Sequence, residues 1–125
     1  MTLPPYADLL GVGIEEDEGA PVLVMPFADD VVGRPGFLHG GAIAGLLELA
    51  AAAALRHALG AEGGRADPVT VTVDFMRGGR NAPTRAAGTI TRLGNRIANV
   101  EAHAWQDDRS RPIAGARINY RVTRG

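Results

Sequence analysis

The sequence contains neither cysteine nor lysine among its 125 residues. Without cysteine there can be no disulfide, thiolate nucleophile or thiolate metal ligand. The single serine, Ser110, lies in a turn-like segment, so a serine nucleophile elbow is also excluded. No glycine-rich phosphate loop opens a helix, and no histidines and carboxylates have the spacing of metal ligands. The sequence therefore predicts chemistry without a metal or cofactor.

Long hydrophobic runs are absent as well. Apolar runs stop at Glu48 and Arg56, short of the roughly 18 residues that a membrane span needs. No secretory signal is recognisable, aromatic residues make up 5% and the pI is near 6.3, with no nucleic-acid-binding motif. We expect a single cytoplasmic domain over residues 1–125 that binds neither membrane nor nucleic acid.

The charges are unevenly distributed along the chain. Residues 1–64 carry nine acidic residues against Arg34 and Arg56, whereas residues 65–125 carry eleven arginines against five acids. Nucleotide composition bias would explain a preference for arginine without any function. The alternative is a rim that binds phosphate, because a guanidinium group binds phosphate through two hydrogen bonds.

One long helix is predicted over residues 41–59. Alanine and leucine dominate this segment and favour helix, and Gly60 is typical of a helix end. The helix is apolar nearly all round, so it must be buried on most sides. No second helical segment of comparable length exists, and only a sheet can therefore cover it.

The remaining segments are typical of strands. Two precede the helix, at residues 11–18 and 21–27, and could form a hairpin around Gly19 and Ala20. Four follow it with alternating apolar and polar residues, at residues 69–76, 84–93, 96–106 and 111–122. The order β-β-α-β-β-β-β predicts an α+β domain in which an antiparallel sheet wraps around one central helix.

Glu48 is the one charged residue in the middle of this helix. Burying an ionised carboxylate without partners costs several kcal/mol. Glu48 could reach a polar edge or a structural arginine. The alternative is a carboxylate in a partly apolar cleft, which is a candidate general base or nucleophile.

The segment His39-Gly40-Gly41 at the start of the helix is the second unusual feature. Glycine is a poor helix former, so the pair suggests a close approach of the backbone to another group. Free N–H groups at a helix N-terminus can polarise a carbonyl and stabilise an oxyanion. A tight turn into the helix is the structural alternative. We interpret His39 as a positioning residue rather than a proton donor.

Helix geometry separates these two features. Gly40 and Glu48 are eight residues apart, which is about 12 Å along the axis, and His39 and Glu48 point in nearly opposite directions. One subunit cannot bring both to the same small group. If both act on one carbonyl, two antiparallel helices of a two-fold dimer must combine them and give two identical sites.

These motifs resemble the hotdog-fold acyl-CoA thioesterases of the phenylacetate-pathway (PaaI-like) type. The resemblance is carried by GFLHGGAIAGLLE at residues 36–48 and by VTVDFMRGG after the helix, and the element order extends it over nearly the whole chain. It implies a hotdog fold, hydrolysis of an acyl-CoA thioester, and a homodimer or a dimer-of-dimers tetramer with active sites at the dimer interface.

The resemblance also implies roles for individual residues. The Gly40 N–H would contact the thioester carbonyl, beside Gly41, and Glu48 of the facing subunit would attack the thioester carbon or activate a water. His39 would lie near the carbonyl or hold the loop. Candidate phosphate contacts, on the arginine-rich strand ends, are Arg77, Arg80 and Arg96.

Two positions depart from the family pattern. Gly33 stands where many members have Asn or Gln near the carbonyl, and Ala52 stands where some have a polar group that orients water. Arg34 or a water could substitute, or turnover could be slow. A hotdog hydratase or dehydratase is an alternative, although its usual upstream histidine loop is missing. A non-catalytic acyl-CoA-binding protein is the other.

Overall fold

A computed structural model describes residues 3–60 and 63–124 of the chain. Six strands and one long helix account for most of it, together with a short N-terminal helix and one 3₁₀ turn. In chain order the helices and strands are α1 (Pro5–Leu10), β1 (Gly13–Asp17), β2 (Ala20–Met25), α2 (Gly40–Leu59), β3 (Arg65–Phe75), β4 (Thr84–Leu93), β5 (Ile97–Trp105) and β6 (Ala114–Thr123). The predicted order and the long helix are confirmed, and the arrangement is a hotdog fold.

The six strands form one antiparallel sheet in the order β1-β2-β4-β5-β6-β3. The predicted hairpin joins β1 to β2 through Glu18 and Gly19, whose φ angles of 52° and 83° are those of a two-residue hairpin turn. The sheet order leaves β1 and β3 as its edges. Strand β3 reaches the far edge because the chain crosses over after α2 and pairs only later with β6.

Helix α2 packs against one face of this sheet, where the strands present mainly small side chains. Alanines on β4, β5 and β6 are buried beneath the helix, namely Ala86, Ala98, Ala102, Ala104, Ala114 and Ala116. The closest approach is at Gly88 of β4, where an added Cβ would lie 2.7 Å from the Ala54 Cβ and 3.1 Å from the Ala50 carbonyl oxygen. Small residues on both surfaces therefore set the distance between helix and sheet.

Helix α2 is buried on most sides, as expected, but one face is open. Gly41, Glu48 and Arg56 are exposed and Ala52 is half-buried, since the sheet covers the opposite side only. By length and hydropathy α2 could also cross a membrane, but 61% of the apolar window is buried inside the fold. The apolar composition is therefore accounted for by the core of the domain.

Strand β3 also departs from a simple core strand. Its apolar side chains at Val69, Val71 and Phe75 are 67%, 41% and 55% exposed. The pairing of β3 with β6 shifts register between Pro68 and Thr70, as a bulge does. Within the described residues β3 is paired with β6 alone, so it is a long edge strand with uncovered apolar side chains.

Gly88→Ala should lower the free energy of unfolding by about 1–3 kcal/mol, because the new methyl group would push α2 off the sheet. Gly13→Ala is the matched control, since a Cβ there meets nothing within 4 Å. Urea unfolding followed by circular dichroism measures both variants. Equal stability of the two would contradict the close packing at Gly88.

Candidate active site

The loop before α2 is folded tightly and fixes the start of the helix. The His39 N–H donates to the Val31 carbonyl at 2.6 Å, and the Gly33 N–H donates to the Phe37 carbonyl at 3.0 Å. The Leu38 N–H donates to the Gly79 carbonyl at 3.0 Å, which ties this loop to the loop after β3. The N-terminus of α2 is thus held in place from both sides.

His39 caps α2 through its side chain. Its Nδ1 accepts a hydrogen bond from the Gly41 N–H at 2.8 Å, so this nitrogen carries no proton. A Cβ on Gly41 would lie 2.9 Å from Nδ1 and Cε1 of the imidazole, which explains why glycine is needed there. The His39 ring is therefore held at the start of α2 as the helix cap. Gly41 is a predicted substrate-binding residue, but its N–H already donates to the His39 ring.

Gly40 is the first residue of α2, and its N–H has no acceptor within residues 3–60 and 63–124. It lines a cavity of about 530 Å³, and a Cβ on Gly40 would lie 3.5 Å from the Phe75 ring, an ordinary contact. The other lining residues are Gly33, Arg34, Phe37, Leu38, His39, Ile43, Met76, Arg77, Gly78 and Gly79. We call this space the Gly40 cavity.

Two arginines stack on one aromatic ring at the mouth of the Gly40 cavity. The guanidinium carbons of Arg34 and Arg80 lie 4.1 and 4.4 Å from the centre of the Phe37 ring. Arg77 lines this cavity and the neighbouring one, which Arg80 also lines. Two of the predicted arginines, Arg34 and Arg80, therefore meet at Phe37, and Arg77 lines the same cavity as that ring.

Gln106 holds the backbone of the loop after β3, which carries Arg77 and Arg80. Its Oε1 accepts from the Arg80 N–H and its Nε2 donates to the Arg80 carbonyl, both at 2.9 Å. The same Nε2 lies within hydrogen-bond distance of the Ala82 carbonyl and the Thr84 hydroxyl. This role of Gln106 could not be predicted from the sequence, because its partners lie more than twenty residues away.

Arg96 does not join the other arginines. Its carbonyl accepts from the Val122 N–H near the end of β6, whereas the Arg77 N–H donates to Ile113 just before β6 begins. The two positions lie at opposite ends of a ten-residue strand, which is roughly 30 Å long. Within one protomer Arg96 therefore lies apart from Arg77 and Arg80, and its contact with phosphate stays a prediction.

Glu48 lies in the middle of the exposed face of α2, beside a different cavity of about 300 Å³. Within the described ranges it forms no ion pair, so a structural arginine does not explain it. Its cavity, which we call the Glu48 cavity, is also lined by Pro4, Tyr6, Gly45, Leu49, Ala52, Ala66, Pro68, Ile118 and Tyr120. None of these residues lines the Gly40 cavity, so one protomer keeps the two features apart.

The Glu48 cavity has an apolar wall and few polar side chains. Burial, and secondarily the nearby Glu48 carboxylate, raises the pKa of Tyr120 to about 12. Among the described histidine, aspartate and glutamate side chains, no three converge where they could hold a metal ion. The reactive groups of the two cavities are therefore the Glu48 carboxylate, the tyrosine hydroxyl groups and the Gly40 N–H, which has no acceptor among the described residues.

Comparisons with known proteins agree with this architecture. The sequence model of the thioesterase superfamily matches residues 35–113, and no match was found among curated proteins. A solved protein from Chromobacterium violaceum is 35% identical with a TM-score of 0.76, over 95% of this chain and 83% of that one.

Two further solved structures are similar in fold. BH2602 from Bacillus halodurans, crystallised with CoA, is 23% identical with a TM-score of 0.85 and covers 98% of this chain and 80% of its own. A phenylacetic acid degradation-related protein from Ralstonia eutropha is 21% identical with a TM-score of 0.84 and covers 98% and 92%. At these identities the likeness concerns the fold.

His39→Ala should lower the free energy of unfolding by about 1 kcal/mol, because the helix loses its side-chain cap. His39→Asn should stay within about 0.5 kcal/mol of the wild type, since asparagine is a strong N-cap residue. Urea midpoints of the two variants test this. The capping role fails if asparagine destabilises the protein as much as alanine does.

Proposed function

Because the chain belongs to the thioesterase superfamily of thioester hydrolases, we propose that it hydrolyses an acyl-CoA to the free acid and CoA. The observation that carries this proposal is the free N–H of Gly40 at the N-terminus of α2. A helix N-terminus bears partial positive charge. A thioester oxygen accepting from this N–H would be polarised, and the developing oxyanion stabilised.

Glu48 supplies the second group that the reaction needs. Water attacks the thioester carbon while the carboxylate takes its proton, or the carboxylate attacks first and the resulting anhydride is hydrolysed. Either route breaks the C–S bond, consumes one water and releases the acid and the CoA thiol. Both routes need the carboxylate within reach of the carbonyl carbon that Gly40 polarises.

A second copy of the chain meets that requirement. Within one protomer the two groups line separate cavities, about 12 Å apart along a rigid helix. We therefore assign Glu48 to the Gly40 cavity of a facing subunit. A two-fold dimer then has two identical sites, each using the Gly40 N–H of one subunit and the carboxylate of the other.

The exposed edge of β3 is the surface on which this dimer would form. The strand begins beside the Glu48 cavity, which Ala66 and Pro68 line, and ends beside the Gly40 cavity, which Phe75 lines. Antiparallel pairing of two β3 strands about an axis near Val71 would set one end opposite the other. This pairing would also cover the exposed Val69, Val71 and Phe75.

The arginines around Phe37 are our candidates for the CoA phosphates. Arg34, Arg77 and Arg80 lie at the mouth of the Gly40 cavity, and guanidinium groups bind phosphate well. The structural neighbour from Bacillus halodurans was crystallised with CoA, which supports a CoA ester as substrate. Arg34 also adjoins Gly33, where it can replace the missing amide.

Hydrolysis of a panel of acyl-CoA esters tests the function, with phenylacetyl-type esters included because of the Ralstonia neighbour. Glu48→Gln removes the ionisable group at nearly constant shape and should lower kcat by at least about a hundredfold. The free thiol of the released CoA measures turnover. Unchanged hydrolysis in Glu48→Gln would overturn the assignment. Binding without hydrolysis would favour a binding protein, and hydration of an enoyl-CoA would favour a hydratase.

Gly40→Pro tests the backbone donor directly. Proline removes the N–H yet suits the first residue of a helix, and the extended backbone of His39 (φ −67°, ψ 130°) accepts a following proline. We expect kcat to fall by about a hundredfold, as when one oxyanion donor is lost.

Gly40→Ala keeps the N–H and is the matched control, because its Cβ would make only an ordinary contact with Phe75. It should retain most of the wild-type kcat. Equal losses in the alanine and proline variants would show that the backbone N–H is not the donor.

A further inference from the structure

Both tyrosines of the chain line the Glu48 cavity. The other lining residues have apolar side chains or none, including Ala52, Ala66 and Pro68. Pro68 also lacks a backbone N–H. The two phenol groups are therefore the side-chain hydrogen-bond donors that this wall offers to the carboxylate.

The two tyrosines differ in how firmly they are held. Tyr120 is on β6, paired with Pro68 on β3 and Ala98 on β5, and it is 4% exposed. Tyr6 is on the six-residue helix α1, is 43% exposed and rests on Gly45 of α2. A hydroxyl on a central strand has a fixed position, whereas a half-exposed one is readily replaced by water.

We propose that Tyr120 is the positioning residue for Glu48: the two side chains line one cavity without a hydrogen bond between them in this structure, and in the assembled site the Tyr120 hydroxyl donates to one carboxylate oxygen and leaves the other for the reaction. This assignment rests on the proposed function of Glu48. The Tyr120 hydroxyl would replace the polar side chain that is missing at Ala52. The proton of the phenol is available throughout the neutral range, because burial and the Glu48 charge raise the pKa of Tyr120 to about 12.

A donor of this kind stabilises the charged carboxylate relative to its protonated form. Loss of the donor should therefore move the acid limb of the kcat/KM profile to higher pH. The titratable side chains facing Glu48 across its cavity are Tyr6 from α1 and Tyr120 from β6, while Ala66 and Pro68 from β3 carry no charge. Because the pKa of Tyr120 is raised to about 12, its own ionisation does not contribute to this limb.

The experiment compares Tyr120→Phe with Tyr6→Phe, each of which removes one oxygen and keeps the ring. Tyr120→Phe should lower kcat roughly tenfold, leave KM within about twofold and raise the acid limb by about half a pH unit or more. Tyr6→Phe should match the wild type in all three. Urea unfolding confirms that both variants are folded.

The outcomes separate this proposal from the proposed function. If Glu48→Gln is inactive but Tyr120→Phe matches the wild type in kcat and in the acid limb, only the Tyr120 assignment fails. The Tyr120 assignment also fails if the acid limb moves in Tyr6→Phe and not in Tyr120→Phe. A fall in kcat without movement of the acid limb also overturns it, because a structural effect alone would do that. Full activity of Glu48→Gln overturns both.

Discussion

Gly40 and Glu48 are fixed on one rigid helix, and their separation determines how the active site can be assembled. A helix of twenty residues that packs on the sheet keeps its first and third turns apart. The two groups face separate cavities, and an edge strand runs from one cavity to the other. This separation is the reason for proposing a site shared between two subunits, with the exposed edge of β3 as the proposed contact surface.

Small residues make this arrangement possible. The alanines beneath α2, together with Gly88, let the helix lie close enough for the curved sheet to cover it. At the helix start, Gly41 leaves room for the His39 ring, which accepts from the Gly41 N–H. The Gly40 N–H is left without an acceptor among the residues that the structure describes. His39 therefore makes the two adjacent glycines different: within the described residues the Gly41 N–H is paired and the Gly40 N–H is not.

Much of the fold could be predicted from local sequence, because composition and alternation report burial directly. Alanine and leucine indicated α2, and alternation indicated β4, β5 and β6. Alternation in β3 indicated an apolar face without saying what covers it, so the open edge was missed. The distance between Arg96 and the other two arginines could not be predicted, because the sheet order decides which strand ends meet. Tyr6, Gln106 and Tyr120 escaped notice because their partners are distant in sequence.

The shared site is tested most directly by mixing Glu48→Gln and Gly40→Pro subunits, each inactive alone, under conditions that allow exchange. In a mixed dimer one site carries both substitutions and the other carries none. Random pairing should therefore restore about a quarter of the wild-type sites, with a wild-type KM. If each subunit worked alone, every site would retain one defect, and the mixture would stay as inactive as its parents.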